Sequence, residues 1–381
     1  MKNIHRILIV NPFGIGDVLF TTPLITAMKE RLPGVSISFI GNAKTVPFMS
    51  RDPRIDKVFC YERDEYVAVY RRSPWQFLLK WNRLINDIRV QDFDIAFDLS
   101  LGPTWGPVLV LAGIPVRIGY DYKGRGRWLT RKVPFKGYEK KPVAEYYLDL
   151  LEHWAMSTGH SSGQSGPVPS AKCQVPKLWP MDLFIPDSDT SWAEAFLKAN
   201  RLEAGRFIAI YPGGGASWGK DARNKRWAPE NYAKLADKII ENASLAVILM
   251  GDQNEKELCE KVKDAMQLPA LNAAGATTIT QAAALAKRSR LVIANDGGPL
   301  HVAVAAGART VSIFGPVDEH IYGPFPRAGH VVVAKDVPCR PCYRNFRTSD
   351  CQHLSCLRKL TVEEVYGRVV ACLDEERKKL Q

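Results

Sequence analysis

The sequence predicts an α/β protein with two doubly wound domains. Short apolar strand candidates alternate with helical patterns along both halves of the 381-residue chain, and glycine- or proline-containing turns follow several of the strands. This alternation is typical of parallel sheets whose strands are joined by helical crossovers. The length is sufficient for two domains, and 46% hydrophobic with 24% charged residues is the composition of a globular protein.

The first half opens with a strand at Ile7–Val10, a glycine turn and a helix from about Asp17 to Arg31. Strands at Ser36–Ile40 and Asp94–Asp98 follow. The apolar run at the N-terminus is too short for the core of a signal peptide, so we expect a cytoplasmic protein.

The second half repeats the pattern. Its strand candidates are Phe207–Tyr211, Leu245–Met250, Leu291–Ala294 and Val311–Phe314. The polar, low-complexity stretch Ser157–Ser170 predicts a flexible loop. We therefore predict domains at 1–186 and 187–360, with a ligand cleft between them, and a final helix at 361–381 that packs back on the first domain.

The segment 291–307 is the most informative part of the chain. A buried strand end is followed by Asn-Asp-Gly-Gly-Pro and then by small apolar residues that suit a helix packed on a sheet. Gly297 and Gly298 let a ligand approach the backbone, and the N-terminus of the following helix attracts phosphate. With Asp296 as an acceptor for sugar hydroxyls, the segment predicts a nucleotide-sugar site; an ordinary tight turn is the alternative.

The glycine turn after the first strand reads Gly14-Ile-Gly16-Asp17. It lacks the third small residue of a dinucleotide fingerprint, and no acidic residue ends the second strand, so nicotinamide or flavin binding is poorly supported. Two interpretations of Asp17 remain open, a general base exposed by the glycines and a helix-capping carboxylate.

A long basic loop follows the strand at Phe207–Tyr211. Its Gly-x-x-x-x-Gly-Lys spacing resembles a Walker A loop, but Asp221 replaces the Ser or Thr, and the next helix begins only near Pro229. Such a loop at the carboxyl end of a strand suits an anionic ligand. Residues that we expect to contact a diphosphate are Gly213, Gly214, Ser217, Lys225 and Arg226; a solvated basic loop is the alternative.

The formal net charge of +12 favours an anionic partner, such as a phosphorylated glycolipid or an acidic membrane face. Basic residues cluster within 117–141, and no nucleic-acid-binding motif accompanies them. The segment 70–88 has helical apolar spacing flanked by basic residues. It suits an anionic membrane surface, although a helix that faces the core is the favoured interpretation.

Four of the eight cysteines are grouped near the C-terminus: Cys339, Cys342, Cys351 and Cys356. Their spacing resembles half of a zinc ribbon, which makes a structural zinc site one interpretation. Unliganded thiols and disulfides are the other two.

Three segments taken together resemble the bacterial lipopolysaccharide heptosyltransferases, a glycosyltransferase family with the two-domain, Rossmann-like GT-B fold. These segments are Ile7–Pro23, Tyr211–Pro229 and Asn295–Ala303. The resemblance implies inverting transfer of heptose from ADP-heptose to the phosphorylated inner core of lipid A-linked saccharide, at the cytoplasmic face of the inner membrane and without a required cofactor.

The resemblance also implies roles for individual residues. Asp17 would be the base, and Lys225 would stabilise the diphosphate. The remaining donor-site residues would be Arg226, Glu255 at the ribose, Thr278 at the adenine, Asp296, Gly297, Gly298 and His301. Gly14, Gly16, Arg125 and Arg127 would contact the acceptor.

The loop before Lys225 departs from the family pattern, so Lys220, Arg223, Lys225 and Arg226 all remain candidates for the phosphate contact. Three other functions stay open: transfer with another nucleotide sugar or acceptor, epimerisation of a sugar nucleotide on the same fold, and a glycan-binding module without catalysis.

Overall fold

A computed structural model describes residues 4–158, 178–215, 219–344, 346–347 and 351–380. Its internal contacts divide the chain into two compact units, Met1–Pro180 and Met181–Gln381. The division lies a few residues before the boundary expected near Pro186. Most of the predicted loop at Ser157–Ser170 lies outside the described residues, and the helix before it continues to Thr158.

The described part of the first unit is built on a parallel sheet. Its strands are β1 (Arg6–Val10), β2 (Ser36–Gly41), β3 (Lys57–Cys60), β4 (Ile95–Asp98), β5 (Val116–Tyr122) and β6 (Arg131–Phe135). They lie in the order β3-β2-β1-β4-β5-β6, and every neighbouring pair is parallel. The order reverses between β1 and β4, where Val10 pairs with Asp98.

Seven α-helices accompany this sheet in the described residues. They are α1 (Ile15–Leu19), α2 (Thr22–Arg31), α3 (Val46–Met49), α4 (Arg63–Arg72), α5 (Pro74–Arg89), α6 (Trp105–Leu111) and α7 (Val143–Thr158). The single helix predicted from Asp17 to Arg31 is wrong, because two helices occupy this range. Pro23 has no N–H to continue α1 and is accommodated in the first turn of α2.

The second unit repeats the architecture. Its strands are β7 (Phe207–Tyr211), β8 (Ala246–Leu249), β9 (Leu271–Asn272), β10 (Leu291–Asn295), β11 (Thr310–Phe314) and β12 (His330–Ala334). Its α-helices are α8 (Asp187–Ala199), α9 (Pro229–Ala243), α10 (Lys256–Ala265), α11 (Ile279–Arg288), α12 (Gly298–Ala305), α13 (Glu319–Tyr322), α14 (Ser355–Arg358) and α15 (Val362–Leu380). In the part of the chain that the structure describes, short 3-10 helices lie at Arg125–Trp128 in the first unit and at Gly219–Lys225 and Gln253–Glu255 in the second.

The second sheet has the order β12-β11-β10-β7-β8-β9, again with all neighbours parallel. In each unit the first strand therefore lies beside the fourth, which is the strand order of the Rossmann fold. The predicted class, two Rossmann-like α/β units, is confirmed.

The last helix, α15, begins with a capping box. The amide of Glu364 donates to Oγ1 of Thr361, and the amide of Thr361 donates to the carboxylate of Glu364. Val365 and Val369 of this helix are fully buried in the core of the second unit. The contact of this helix with the first domain stays a prediction. In the described residues no helix combines the length and apolar character that crossing a bilayer requires.

Candidate active site

Two glycine-rich loops meet at the point where the strand order of the second sheet reverses. The loop Pro212–Gly215 follows β7, and the loop that begins at Asp296 follows β10, which pairs with β7 through Ala294 and Tyr211. Ligands of open α/β sheets bind in the crevice at such a reversal, outside the carboxyl ends of the strands. The structure thus brings together two segments that the sequence identified separately.

The contact between the two loops requires glycine. Gly214, Gly215 and Gly297 have φ of +83°, +79° and +152°, where a side chain is strained. A Cβ atom on Gly297 would lie 1.8 Å from the carbonyl oxygen of Gly214. The backbones therefore pack directly on each other, while the approach of a ligand to these glycines stays a prediction.

Asn295 fixes the relative position of three segments. This residue is fully buried. Its Nδ2 donates to the carbonyl oxygen of Pro212 at 2.7 Å, and its Oδ1 accepts from the amide of Trp227 at 3.2 Å. The indole of Trp227 donates in turn to the carbonyl of Leu360. Asn295 thus holds the loop Pro212–Gly215 and the end of the basic loop against β10, a role that no local sequence pattern indicates.

Lys225 and Asp296 form a buried ion pair beside these loops. The Nζ atom of Lys225 lies 2.6 Å from Oδ2 of Asp296, and both side chains are buried. Helix α12 begins two residues after Asp296, with Pro299 in its first turn. Helix N-termini attract phosphate groups. The phosphate contacts expected of Lys225, Gly297 and Gly298 stay predictions.

His301 lies one turn into α12 and is buried. Burial lowers its pKa to about 4; the carboxylate of Asp296 opposes this shift and the ammonium of Lys225 adds to it. The imidazole is therefore neutral at neutral pH and adds no charge to the pair of Lys225 and Asp296.

Arg226 and Glu255 both contact the loop Pro212–Gly215 that follows β7. Arg226 donates through Nε to the carbonyl of Gly213 at 2.8 Å, and its guanidinium lies 3.8 Å from Oε1 of Glu255. The same Oε1 accepts the amide of Gly215 at 2.8 Å, and Oε2 accepts the amide of Asp252 at 3.2 Å. A Cβ atom on Gly213 would lie 1.9 Å from Oε1, so the carboxylate packs against bare backbone.

Burial raises the pKa of Glu255, while its hydrogen bonds with Gly215 and Asp252 partly offset the shift. Tyr211, the last residue of β7, has a buried hydroxyl for which the described residues provide no hydrogen-bond partner. Its pKa is raised by burial first and by the charge of Glu255 second. Glu255 therefore shapes the loop, and the ribose contact expected of it stays a prediction.

No described contact joins the predicted donor-site residue Thr278 to this cluster. Thr278 is exposed and caps α11, where its Oγ1 accepts the amide of Gln281 and its own amide donates to the side chain of Gln281. Ser217 lies outside the described residues. A 3-10 helix, not an α-helix, includes Gly219 and Lys220, so the described part of this loop is not a Walker A motif.

The first unit presents Asp17 at the equivalent end of β1. Asp17 is the third residue of α1, whose N-cap is Gly14, and its side chain is partly exposed. Asn11 Nδ2 and Thr21 Oγ1 donate to its carbonyl oxygen at 3.0 and 3.2 Å, which fixes the short helix. Its negative charge also contributes to raising the pKa of the buried Tyr138, after burial and Tyr147.

A sequence model of glycosyltransferase family 9 (heptosyltransferase) matches residues 81–353, well over half of the chain. The chain belongs to this family. Lipopolysaccharide heptosyltransferase 2 of Escherichia coli K12 is 25% identical over 336 residues, which cover 86% of this chain and 87% of that protein.

Solved structures of other family members share the fold. The structure of E. coli ADP-heptose lipopolysaccharide heptosyltransferase II has a TM-score of 0.74 at 23% identity and covers 98% of this chain and 99% of that one. E. coli heptosyltransferase WaaC with ADP-2-deoxy-2-fluoro heptose has a TM-score of 0.65 at 17% identity, covering 96% and 99%. This chain is thus a glycosyltransferase of the GT-B fold class, as the sequence predicts.

Asp98 of this glycosyltransferase is buried, and from the sequence alone it was predicted only to lie at the end of a strand. It ends β4, beside β1, at the reversal of the first sheet. Burial raises its pKa to about 6. Hydrogen bonds from Ser100, one of them from its amide at 3.0 Å, oppose this shift without cancelling it. Aspartate is common at the ends of strands. Asp98 differs from such residues only in its burial, which the sequence does not report.

Arg125 and Arg127 lie on an exposed surface of the same unit, in the 3-10 helix after β5. The guanidinium of Arg125 lies 5.7 Å from the ring centre of Tyr122, and that of Arg127 lies 5.4 Å from that of Trp128. No described contact joins them to Asp17, so their predicted role with the acceptor stays a prediction, as does that of Gly14 and Gly16.

The four grouped cysteines of this glycosyltransferase are not joined by disulfides. The pKa of Cys356 is raised to about 11, first by burial and then by Cys342, Cys351 and Cys339, so the thiols influence one another electrostatically. Within the described ranges no three His, Cys, Asp or Glu side chains are arranged to hold a metal ion. The zinc interpretation stays a prediction.

Proposed function

We propose that this glycosyltransferase transfers heptose, with inversion, from ADP-heptose to the phosphorylated inner core of lipopolysaccharide. Membership of the heptosyltransferase family supports the transferred sugar. The names of its relatives, which include lipopolysaccharide heptosyltransferases 1, 2 and 3, support the acceptor, and the WaaC structure with an ADP-heptose analogue supports the donor.

The observation that carries the donor site is the buried pair of Lys225 and Asp296 beside the N-terminus of α12. In the proposed complex the diphosphate accepts hydrogen bonds from the α12 amides and from Lys225. Asp296 keeps Lys225 in place and accepts hydroxyls of the sugar. Preorganised donors of this kind stabilise the charge that develops on a leaving group.

In the proposed reaction Asp17 accepts the proton of the attacking acceptor hydroxyl. The acceptor oxygen forms a bond to the anomeric carbon from the side opposite the diphosphate, and the bond between that carbon and the diphosphate oxygen breaks. ADP leaves with both electrons of this bond, and attack from the opposite side inverts the configuration. Lys225 and Arg226 compensate the charge of ADP, so the reaction requires no metal ion.

The excess of positive charge supports an anionic acceptor. The chain carries a formal net charge of +12, and Arg125 and Arg127 are exposed on the unit that contains Asp17. These residues would attract phosphates of a lipid A-linked core. Such an acceptor is made at the cytoplasmic face of the inner membrane, so we propose that the protein works there as a peripheral protein, without a nucleic-acid partner.

The proposal is tested by incubating the purified protein with ADP-heptose and a heptose-deficient lipopolysaccharide core. Mass spectrometry should show the mass of one added heptose, and NMR should show the anomeric configuration inverted relative to the donor. Conversion of ADP-heptose to an isomer without acceptor would identify an epimerase instead. Turnover with only another nucleotide sugar would reassign the donor, and donor binding without turnover would identify a binding module. Mass spectrometry of lipopolysaccharide from a strain that lacks the protein identifies the missing sugar.

A further inference from the structure

Helices α4 and α5 expose large apolar side chains on the outside of the first unit. Trp75 is 69% exposed, Leu78 57%, Leu79 51% and Tyr70 55%. We call these four residues the hairpin surface. Exposed groups of large apolar side chains on one surface commonly mark an interaction site.

The opposite face of α5 explains why these residues point outward. Leu84, Ile85 and Ile88 are buried in the core of the first unit. The ring of Tyr70 on α4 lies 5.1 Å from that of Phe77 on α5, which joins the two helices. The interpretation as a core-facing helix is therefore correct for one face, while the first two turns of α5 carry a second apolar face that the core does not use.

Basic residues outnumber acidic residues in the two helices that carry the hairpin surface. The segment 63–89 contains six basic and three acidic residues. Arg71 and Arg72 lie where α4 ends, and Ser73 caps α5 by accepting the amide of Gln76, so both arginines adjoin Trp75. Lys80 is paired with Glu65, whereas Arg71, Arg72 and Arg83 are exposed.

We infer that the hairpin surface docks this protein on an anionic phospholipid bilayer. Trp and Tyr favour the interface of a membrane, Leu side chains enter its acyl boundary, and neighbouring arginines bind lipid phosphates. Helix α5 carries four charged residues between positions 80 and 89, so it would lie on the bilayer rather than cross it. The inference rests on the proposed function in one respect: a lipid-linked acceptor requires the enzyme to work at a membrane.

The charge distribution favours lipid over a second copy of the chain. In a twofold dimer both copies contribute the same surface, so the arginines of both copies would be brought into one interface. Like charges brought together in this way oppose association. An anionic bilayer neutralises the same arginines.

The inference is tested by sedimentation with vesicles of about three parts phosphatidylethanolamine to one part phosphatidylglycerol, compared with neutral phosphatidylcholine vesicles. The test variant is Trp75→Ala/Leu78→Ala. The matched control is Val90→Ala/Leu111→Ala, because Val90 is 71% and Leu111 58% exposed in the same unit, outside the hairpin surface. We expect the test variant to lower the partition coefficient by about tenfold or more, and the control to leave it unchanged. We also expect Arg71→Glu/Arg72→Glu to lower binding to the anionic vesicles.

Transfer to a deacylated, water-soluble acceptor separates this inference from the proposed function. The test variant should keep that activity and its melting temperature, which shows that the protein is folded and its reaction intact. Equal vesicle binding by parent and test variant overturns the docking surface, and so does an equal loss in the control. If the parent is a dimer and the test variant is a monomer, while both bind vesicles equally, the surface serves self-association. This outcome also overturns the inference. If no variant transfers heptose but the vesicle results hold, the proposed function fails and the docking surface remains.

Discussion

Lys225 and Asp296 are joined by an ion pair of 2.6 Å between Nζ and Oδ2, with less than a tenth of either side chain exposed. A buried pair contributes little net stability, because each charge loses its hydration, but removal of one partner leaves the other charge buried and uncompensated. The geometry therefore assigns the pair a positioning role. It holds an ammonium group where α12 begins, at the loop that follows β10.

Replacement of Lys225 by Ala should weaken ADP binding by about tenfold or more, which corresponds to about 1.4 kcal/mol. It should also destabilise the protein by about 3 kcal/mol, because Asp296 stays buried without its counter-charge. Isothermal titration with ADP and thermal unfolding measure the two effects.

The control for this prediction is Arg223→Ala, since Arg223 is an exposed basic residue of the same loop. A second control, Lys225→Ala/Asp296→Ala, removes both charges. We expect it to recover stability without recovering ADP affinity. If Arg223→Ala weakens ADP binding and Lys225→Ala does not, the phosphate contact belongs to Arg223.

Replacement of Asp17 by Asn should lower turnover by about a hundredfold or more, the usual contribution of a general base. The amide keeps the size of the side chain but cannot accept the proton of the acceptor hydroxyl. The affinity for ADP-heptose should stay close to that of the parent, because the proposed donor contacts lie in the second unit. Asp17→Glu should restore part of the activity, and turnover of Asp17→Asn equal to the parent would remove Asp17 as the base.

Replacement of Gly297 by Ala should destabilise the protein by about 3 kcal/mol and abolish ADP binding, because the new Cβ would overlap the carbonyl oxygen of Gly214. Gly307→Ala is the matched control: Gly307 also has a positive φ, of +79°, but a Cβ atom there has nothing within 4 Å. We expect the control to cost about 1 kcal/mol from backbone strain alone. Equal melting temperatures of the two variants would contradict the predicted overlap.

The alternation of strands and helices was sufficient to predict a parallel sheet in each unit, because buried parallel strands are short apolar runs that end in turns. The strands β3, β5, β6, β9 and β12 were not predicted. The error in the first unit has a local cause. The helical pattern is continuous from Asp17 to Arg31, although the chain forms two helices there. Pro23 can stand in the first turn of a helix or interrupt one, so it does not show where the second helix begins.

The glycine loops and the charged residues of the candidate site were visible in the sequence, but the connections between them were not. Asn295 joins β10 to Pro212 and Trp227, and these contacts depend on β7 and β10 being neighbours. Strand order is a tertiary property, so no local pattern reports it. The same holds for Asp98, whose raised pKa depends on burial at the end of β4.

Asp98 should make the stability of the protein depend on pH. Its pKa is about 6 in the folded protein against an ordinary value of 3.8. A carboxyl group with a raised folded pKa contributes fully to stability below the unfolded value and loses that contribution as the pH rises through the folded value. We therefore expect about 3 kcal/mol to be lost between about pH 4 and pH 7.

The variant Asp98→Asn keeps an oxygen for the amide of Ser100 but cannot ionise. Urea unfolding should show that this variant is more stable than the parent at pH 8. The difference in unfolding free energy between the two proteins should be about 3 kcal/mol larger at pH 8 than at pH 4. Ser100→Ala should have the opposite effect. The Ser100 hydroxyl makes a hydrogen bond that lowers the pKa of Asp98, so its removal should raise this pKa further and increase the loss of stability at pH 8. Parallel pH profiles for Asp98→Asn and the parent would show that this carboxyl group is not the titrating one.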